Sequence, residues 1–395
     1  MELARGLHLA YCTNIHRGEN WSQTFAGLQH CLQVRDAVAP GRRFAIGLRL
    51  SARAAEELSD PGLFASFLQW LAEHDCYVFT INGFPYGNFH GTRVKEQVYR
   101  PDWTRPERLA YTLLLFDLLS RMLAPGAEGS ISTCPGSFKS FPLAPNAEAQ
   151  MHAQFHACAL HLEKLSAETG HDLHLGLEPE PLCSFETSEE TVAFLQRLFA
   201  AYPADDDLLR RRIGVNYDCC HLAVEFEHAR DAIARFRAGG IRLSKLHLSS
   251  ALRLTPTPAN LDRLRAFDDP VYLHQVVIRS KNGDLKRFED LQPALDFAGQ
   301  PGIDPGEEWR VHFHIPLHHE PSEGLASTRD HLIDILDLLA EGPAWCRHLE
   351  METYTWEVLP EALRQHNVVD QLVLEYEWTL AALRERGLEA TPSPT

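Results

Sequence analysis

The sequence predicts an α/β protein folded as a (β/α)8 TIM barrel with loop insertions. Short runs rich in apolar and β-branched residues alternate with amphipathic helical segments, the pattern of βα units around a parallel sheet. Several of the later runs end on a carboxylate or a histidine, as strand ends do when they converge on one mouth. The 395 residues contain no stretch that reads as an interdomain linker. Barrels of this class commonly reach that size as one unit.

Nine runs read as strands: 7–13 (LHLAYCT), 44–50 (FAIGLRL), 77–83 (YVFTING), 130–135 (SISTCP), 173–179 (LHLGLEP), 213–218 (IGVNYD), 243–249 (LSKLHLS), 310–316 (RVHFHIP) and 348–354 (HLEMETY). A barrel needs eight, so one is surplus. The surplus run is 310–316, because the 252–309 stretch before it is long and irregular and reads as an insertion after the seventh strand. One domain then spans 1–386, and the tail 387–395 reads as disordered. Helices fill the gaps. Residues 104–123 carry apolar positions at helical spacing with a proline near the start. The segment from Ala147 ends at Gly170, a plausible C′ residue. Thr187 and Glu190 have capping-box spacing. The segments 327–342 and 360–387 repeat the helical pattern.

Apolar residues make up 45% of the chain, enough for a substantial core, and the formal net charge is −17. A phosphate backbone calls for a basic surface, so nucleic acid is not an expected partner. No basic n-region with a long apolar h-region opens the sequence, and no apolar run is long enough to span a bilayer. The nine cysteines are scattered and form no CxxC, as in a reducing, cytoplasmic setting with buried thiols. A homo-oligomer is left open.

The chemistry sits at strand ends. "LHLGLEPEP" delivers Glu178 at the tip of an apolar run, where the following prolines stop the strand. Asp218 ends "IGVNYD", with His221 three residues on. His247 sits in "KLHLSS", and Glu350 and Glu352 in "LEMETY". Singly, Glu178 reads as well as a solvated acid as a ligand, Asp218 has a helix cap as its lesser reading, and His247 reads as a core histidine. Together, at one mouth, they form a mixed O/N set suited to Mn, Zn, Mg or Co. An acid buried under an apolar strand also needs a partner, which an ion supplies.

This order, with Glu at one strand end, Asp-x-x-His at the next, His at the next and Glu at the last, resembles the xylose isomerase-like TIM barrels. That group takes in sugar epimerases, hydroxypyruvate isomerases and endonuclease IV-type repair enzymes. The resemblance implies Glu178, Asp218, His247 and Glu352 as shared ligands of a divalent metal ion. His221 matches a histidine that contacts substrate or a further metal. Arg253, six residues after His247, matches a substrate-binding arginine of the epimerase branch. "HFH" (His312, His314) resembles an extra ligand pair of the endonuclease branch. "HLAYCTNIHRGENW", "GLEPEPLC", "NYDCCHLAVEFE", "KLHLSSAL" and "METYTWEVLP" look more specifically like EboE, a bacterial family implicated in secondary-metabolite traffic.

Three functions follow. The first is a metal-dependent isomerase or epimerase of a small hydroxycarbonyl metabolite. Glu178 and Glu352 would trade a proton as base and acid, with His221 and Arg253 orienting substrate oxygens. The second is phosphoester hydrolysis on several metals, supported by His8, His16, His90, His312, His314 and His318 if they reach the same mouth. The third is non-catalytic metabolite handling. Around the mouth, Asn14, His16, Glu19 and Trp21 follow the first strand, and Trp356 follows the last; His16, Trp21 and Trp356 are candidate substrate contacts. Phe84, Tyr86 and Phe89 in "NGFPYGNFHG" read equally as a lid or as an ordinary loop. Lys139 reads as a solvated lysine more readily than an anion contact. His152 and His156 lack the Glu of HExxH and read as a helix-surface pair. Cys219 and Cys220 read as packing residues.

Overall fold

The structure, a computed structural model, describes residues 1–87, 90, 94–319, 324–360, 364 and 366–389. Strands β1 (His8–Cys12), β2 (Phe44–Arg49), β3 (Cys76–Asn82), β4 (Glu128–Thr133), β5 (Asp172–Leu177), β6 (Ile213–Asp218) and β7 (Leu243–Leu248) come first. Five further strands follow: β8 (Ala251–Leu254), β9 (Val276–Arg279), β10 (Leu285–Phe288), β11 (Glu308–His314) and β12 (Leu325–Ser327); β13 (His348–Met351) comes last. Strands β1 to β7 and β13 close into a barrel in the order β1-β13-β7-β6-β5-β4-β3-β2, every pair parallel. Such strands are covered inside and out, which is why their sequences read as near-continuous apolar runs rather than alternating ones.

The run at 310–316 lies outside the barrel. Its strand β11 pairs antiparallel with β8 and β9 in a second sheet of order β10-β9-β11-β8-β12. This sheet occupies the chain between β7 and the last barrel strand. It has its own apolar cluster, which includes Leu252, Val276, Trp309, Val311 and Phe313. Trp356 packs against both that cluster and the barrel core.

Local signals account for the helices between strands. The helix Pro106–Met122 opens on its proline, whose missing N–H costs nothing at that position. The helix Ala147–Thr169 ends at Gly170 with φ 77°, a left-handed turn that favours glycine. Thr187 caps Ser188–Ala201 by accepting from the Glu190 backbone N–H. The last helix starts at Val368, later than its apolar pattern suggests, where Asn367 accepts from the N–H groups of Val369 and Asp370. The tail from 390, and Phe89 of the aromatic loop, lie outside the described residues. Among the described residues no helix is long and apolar enough to cross a membrane.

Candidate metal centre

Four donors meet where the barrel strands end. Glu178 directly follows β5, its N–H donating to Thr133 O at 3.0 Å. Asp218 is the last residue of β6 and sits in register with His247 of β7. Glu352 follows β13, its N–H donating to Leu248 O at 3.2 Å. The Nδ1 atom of His247 lies 2.9 Å from Glu178 Oε1, 3.4 Å from Asp218 Oδ2 and 2.9 Å from Glu352 Oε2. One ligand atom from each of the four residues lies within 4.8 Å of all the others, and all four residues are buried.

Asp218 divides its work between its two oxygens. Oδ1 caps the short helix that follows, accepting from His221 N–H at 3.0 Å, and also accepts from Ser249 Oγ at 2.7 Å. Oδ2 is buried with no hydrogen-bond partner. The cap reading and the ligand reading are therefore both physically served by one carboxylate. Glu352 is similarly divided: Oε1 accepts from Asn14 Nδ2 at 2.6 Å, leaving Oε2 toward His247.

The electrostatics fit a cation. Burial opposes a charge on His247, yet Glu352 and Glu178 outweigh it and hold its pKa well above the usual histidine range. Burial likewise opposes charge on Asp218, but His221 and His247 hold it well below the usual carboxylate range. Three carboxylates this close repel one another unless a positive charge sits among them. A divalent ion with O and N ligands meets that need, so the residues present fit such an ion.

A second set of groups adjoins the first. His221 Nδ1 lies 3.0 Å from Pro179 O, and its Nε2 lies 3.0 Å from His312 Nε2. His312 Nδ1 meets Gln275 Oε1 at 2.7 Å, and Gln275 Nε2 donates to Pro181 O and Tyr99 Oη. Because Pro181 O can only accept, the Gln275 amide orientation is fixed and His312 donates through Nδ1. His221 must then donate to both neighbours and carry charge. That agrees with its raised pKa, where Asp218, Glu180 and Glu178 outweigh burial. His314 Nδ1 donates to Glu352 O at 2.8 Å, and its Nε2 is buried without a hydrogen-bond partner. Asp218, His221 and His314 form a second possible ligand group, and Cys220 with His312 and His314 another.

Glu178, Glu352, His221 and His312 line a pocket that holds about 650 Å³ of atom-free space, counting its open mouth. Phe84, Tyr99, Tyr272 and Tyr354 give it aromatic walls, and Asn14, Asn82, Ser132, Glu180 and Lys95 add polar groups. Tyr99 donates to Glu180, and burial raises the Glu180 pKa to about 7. Glu180 was visible in "GLEPEP" beside Glu178 but had no assigned role. Lys95 and Tyr99 bound a short 3-10 helix and Tyr272 lies in a loop, where no periodicity marks them.

Four residues expected to contact substrate do not line this pocket. Arg253 lies on β8 and pairs with the exposed Asp330 at 2.7 Å, because the chain reverses into the second sheet directly after β7. His16 accepts or donates at Tyr11 Oη, 2.6 Å away, and stacks on His30; burial lowers its pKa to about 3. Trp21 opens a helix and packs on Phe25 and Phe67. Trp356 is wedged between the two apolar clusters. Of the histidines grouped for a metal cluster, His8 starts β1 at the opposite end of the barrel and meets Tyr77 Oη at 2.8 Å. His90 touches Asn14 O at 2.7 Å, and among the described residues His318 belongs to none of the possible ligand groups. Phe84 lines the pocket, whereas Tyr86 packs on Tyr111. Lys139 pairs with Glu186. His152 and His156 are not the surface pair the sequence suggests: His152 is buried against Phe194, and the half-buried His156 stacks on Tyr202 and pairs with Asp205 at 2.7 Å. All nine cysteines are free and buried.

No characterised family and no curated relative matches this chain by sequence. Solved structures do match by shape. A xylose isomerase-like TIM barrel protein from Mycobacterium smegmatis, in complex with magnesium, has a TM-score of 0.54 at 14% identity, covering 98% of this chain and 99% of that one. IolI, with a bound zinc atom, has a TM-score of 0.50 at 12% identity, covering 96% and 99%. D-psicose 3-epimerase, solved in the presence of D-fructose, has a TM-score of 0.50 at 12% identity, covering 96% and 100%. With its closed eight-stranded parallel barrel, the chain has the fold of the xylose isomerase-like TIM barrel proteins.

Proposed function

We propose that this protein is a divalent-metal-dependent isomerase or epimerase of a small hydroxycarbonyl compound. The observation that carries the reading is the meeting of Glu178, Asp218 and Glu352 at one nitrogen of His247, with Glu178 and Glu352 also lining a pocket. Glu178, Asp218, His247 and Glu352 hold the ion, which supplies Lewis acidity to a carbonyl and its adjacent hydroxyl. The magnesium and zinc of the similar structures support that choice of ion, with Mn and Co equally suited to the donor set.

The chain's own groups handle the proton. Glu178 and Glu352 approach from different strands, so one accepts a carbon-bound proton and the other returns it. Asn14 holds Glu352 in place through Oε1. His221 places its positive charge at the pocket wall, where a substrate oxygen would feel it, and Phe84, Tyr99, Tyr272 and Tyr354 wall the pocket. The test is exchange of the α-hydrogen of ketoses and hydroxyketones in D2O, followed by proton NMR. Metal-loaded protein washes the hydrogen out of its substrate, and Glu352→Gln does not, while keeping its fold. Full exchange by Glu352→Gln would refute the assignment.

The resemblance of "GLEPEPLC" and "NYDCCHLAVEFE" to EboE supports placing this activity in secondary-metabolite traffic. A non-catalytic handler would instead raise the melting temperature with its ligand and exchange no hydrogen. A second reading, phosphoester hydrolysis on a metal cluster, is favoured by His221, His312 and His314 beside Asp218. More than one ion per chain selects it.

A further inference from the structure

Directly beneath the four donors lies a charged layer that the proposed reaction does not use. Lys245 and Glu350 precede His247 and Glu352 by two residues, so they point into the same barrel interior one layer deeper. Both are fully buried and paired with each other. Lys245 Nζ also donates to Asn82 Oδ1 at 2.6 Å, and Asn82 Nδ2 donates to Glu350 Oε1 at 3.0 Å. The wall makes room for this arrangement: a Cβ on Gly47 of β2 would fall 1.9 Å from Glu350 Oε1. A buried ion pair gains little over apolar packing, so its presence here asks for a task.

The geometry supplies one. Glu350 Oε2, the oxygen that meets Lys245 Nζ, also lies 3.4 Å from His247 Nε2, and that nitrogen is buried with no other hydrogen-bond partner. His247 and Glu350 are also register partners on adjacent strands. We infer that Glu350 is a positioning residue of the metal centre. Its Oε2 accepts from His247 Nε2–H and turns Nδ1 toward Glu178, Asp218 and Glu352, while Lys245 and Asn82 hold Glu350 in place. The inference rests on the metal reading of the site. A carboxylate behind a ligating imidazole fixes its tautomer and strengthens it as a ligand.

The rival is a purely structural ion pair, in which Lys245 and Glu350 matter only to each other. Two neutral double variants separate the two. K245M/E350L removes the pair and the acceptor, whereas K245M/E350Q removes the pair and keeps an acceptor facing His247. Co²⁺ binding to the full chain, by calorimetry, is expected to weaken ~10–100-fold in K245M/E350L and to recover most of that loss in K245M/E350Q. Equal binding by the two variants, whether as wild type or weaker, would overturn the inference. A second readout uses only wild-type protein. The Co²⁺ form should show a hyperfine-shifted, exchangeable imidazole N–H that resists D2O, because His247 binds through Nδ1 and shelters Nε2–H against Glu350. A Co²⁺ form lacking any such proton would also overturn it. Failure of wild-type protein to bind Co²⁺ at all would instead sink the metal reading itself.

Discussion

Asp218 shows how much one side chain can be asked to do. Its Oδ1 caps a helix and its Oδ2 faces the histidine. Asparagine is as good an N-cap as aspartate, so Asp218→Asn should keep the melting temperature near wild type and lose the ion. Asp218→Ala should lose the ion and also about 1 kcal/mol of stability. Metal content and thermal unfolding of the two variants check both claims. Arg253→Ala should leave ion binding and turnover unchanged, because its partner Asp330 is exposed and away from the pocket. The contrast explains what was legible. That Glu178, Asp218, His247 and Glu352 come together could be read because each lies at the end of a buried strand, where an acid or imidazole needs a reason. Arg253 was read by its distance from His247 along the chain. That distance loses its meaning once the chain reverses into β8.

At the scale of elements, the last helix reaches back to the site. Glu375 Oε1 accepts from Leu317 N–H and Thr353 Oγ1, both at 2.8 Å. Burial raises its pKa to about 7. Between the ordinary carboxylate value and that raised one, the folded chain holds a proton that the unfolded chain has released. Stability therefore falls as pH rises through this window, by up to about 3 kcal/mol from this group, and the loss is complete above pH ~7. Glu375→Gln, which mimics the protonated form, should flatten that pH dependence in denaturant titrations. Unchanged slopes would place the carboxyl proton elsewhere. Strand β2 offers a second check. Gly47→Ala should cost about 1–3 kcal/mol through overpacking against Glu350 and weaken ion binding along with stability. The strands themselves were legible from apolar runs bounded by turns, to within two residues except for the last, which ends three residues early at Met351, and the surplus one from the irregular chain before it. The second sheet's contribution was not. Tyr272, before β9, carries no periodic signal and reaches the pocket only through tertiary packing, as does Tyr99 from the chain after β3, with Gln275 bonded behind Tyr99.

On the scale of the molecule, the barrel brings residues more than a hundred positions apart to one nitrogen atom. The inserted sheet adds His312 and His314 beside them. The central claim is that Glu178, Asp218, His247 and Glu352 bind one divalent ion. Its most direct test is elemental analysis of the purified chain, metal-loaded, alongside Glu178→Ala and His247→Ala. One Mn, Zn, Mg or Co per chain, lost in both variants while their circular dichroism is unchanged, is the predicted result. A chain that holds no metal under any loading condition, or variants that keep it in full, would contradict the account.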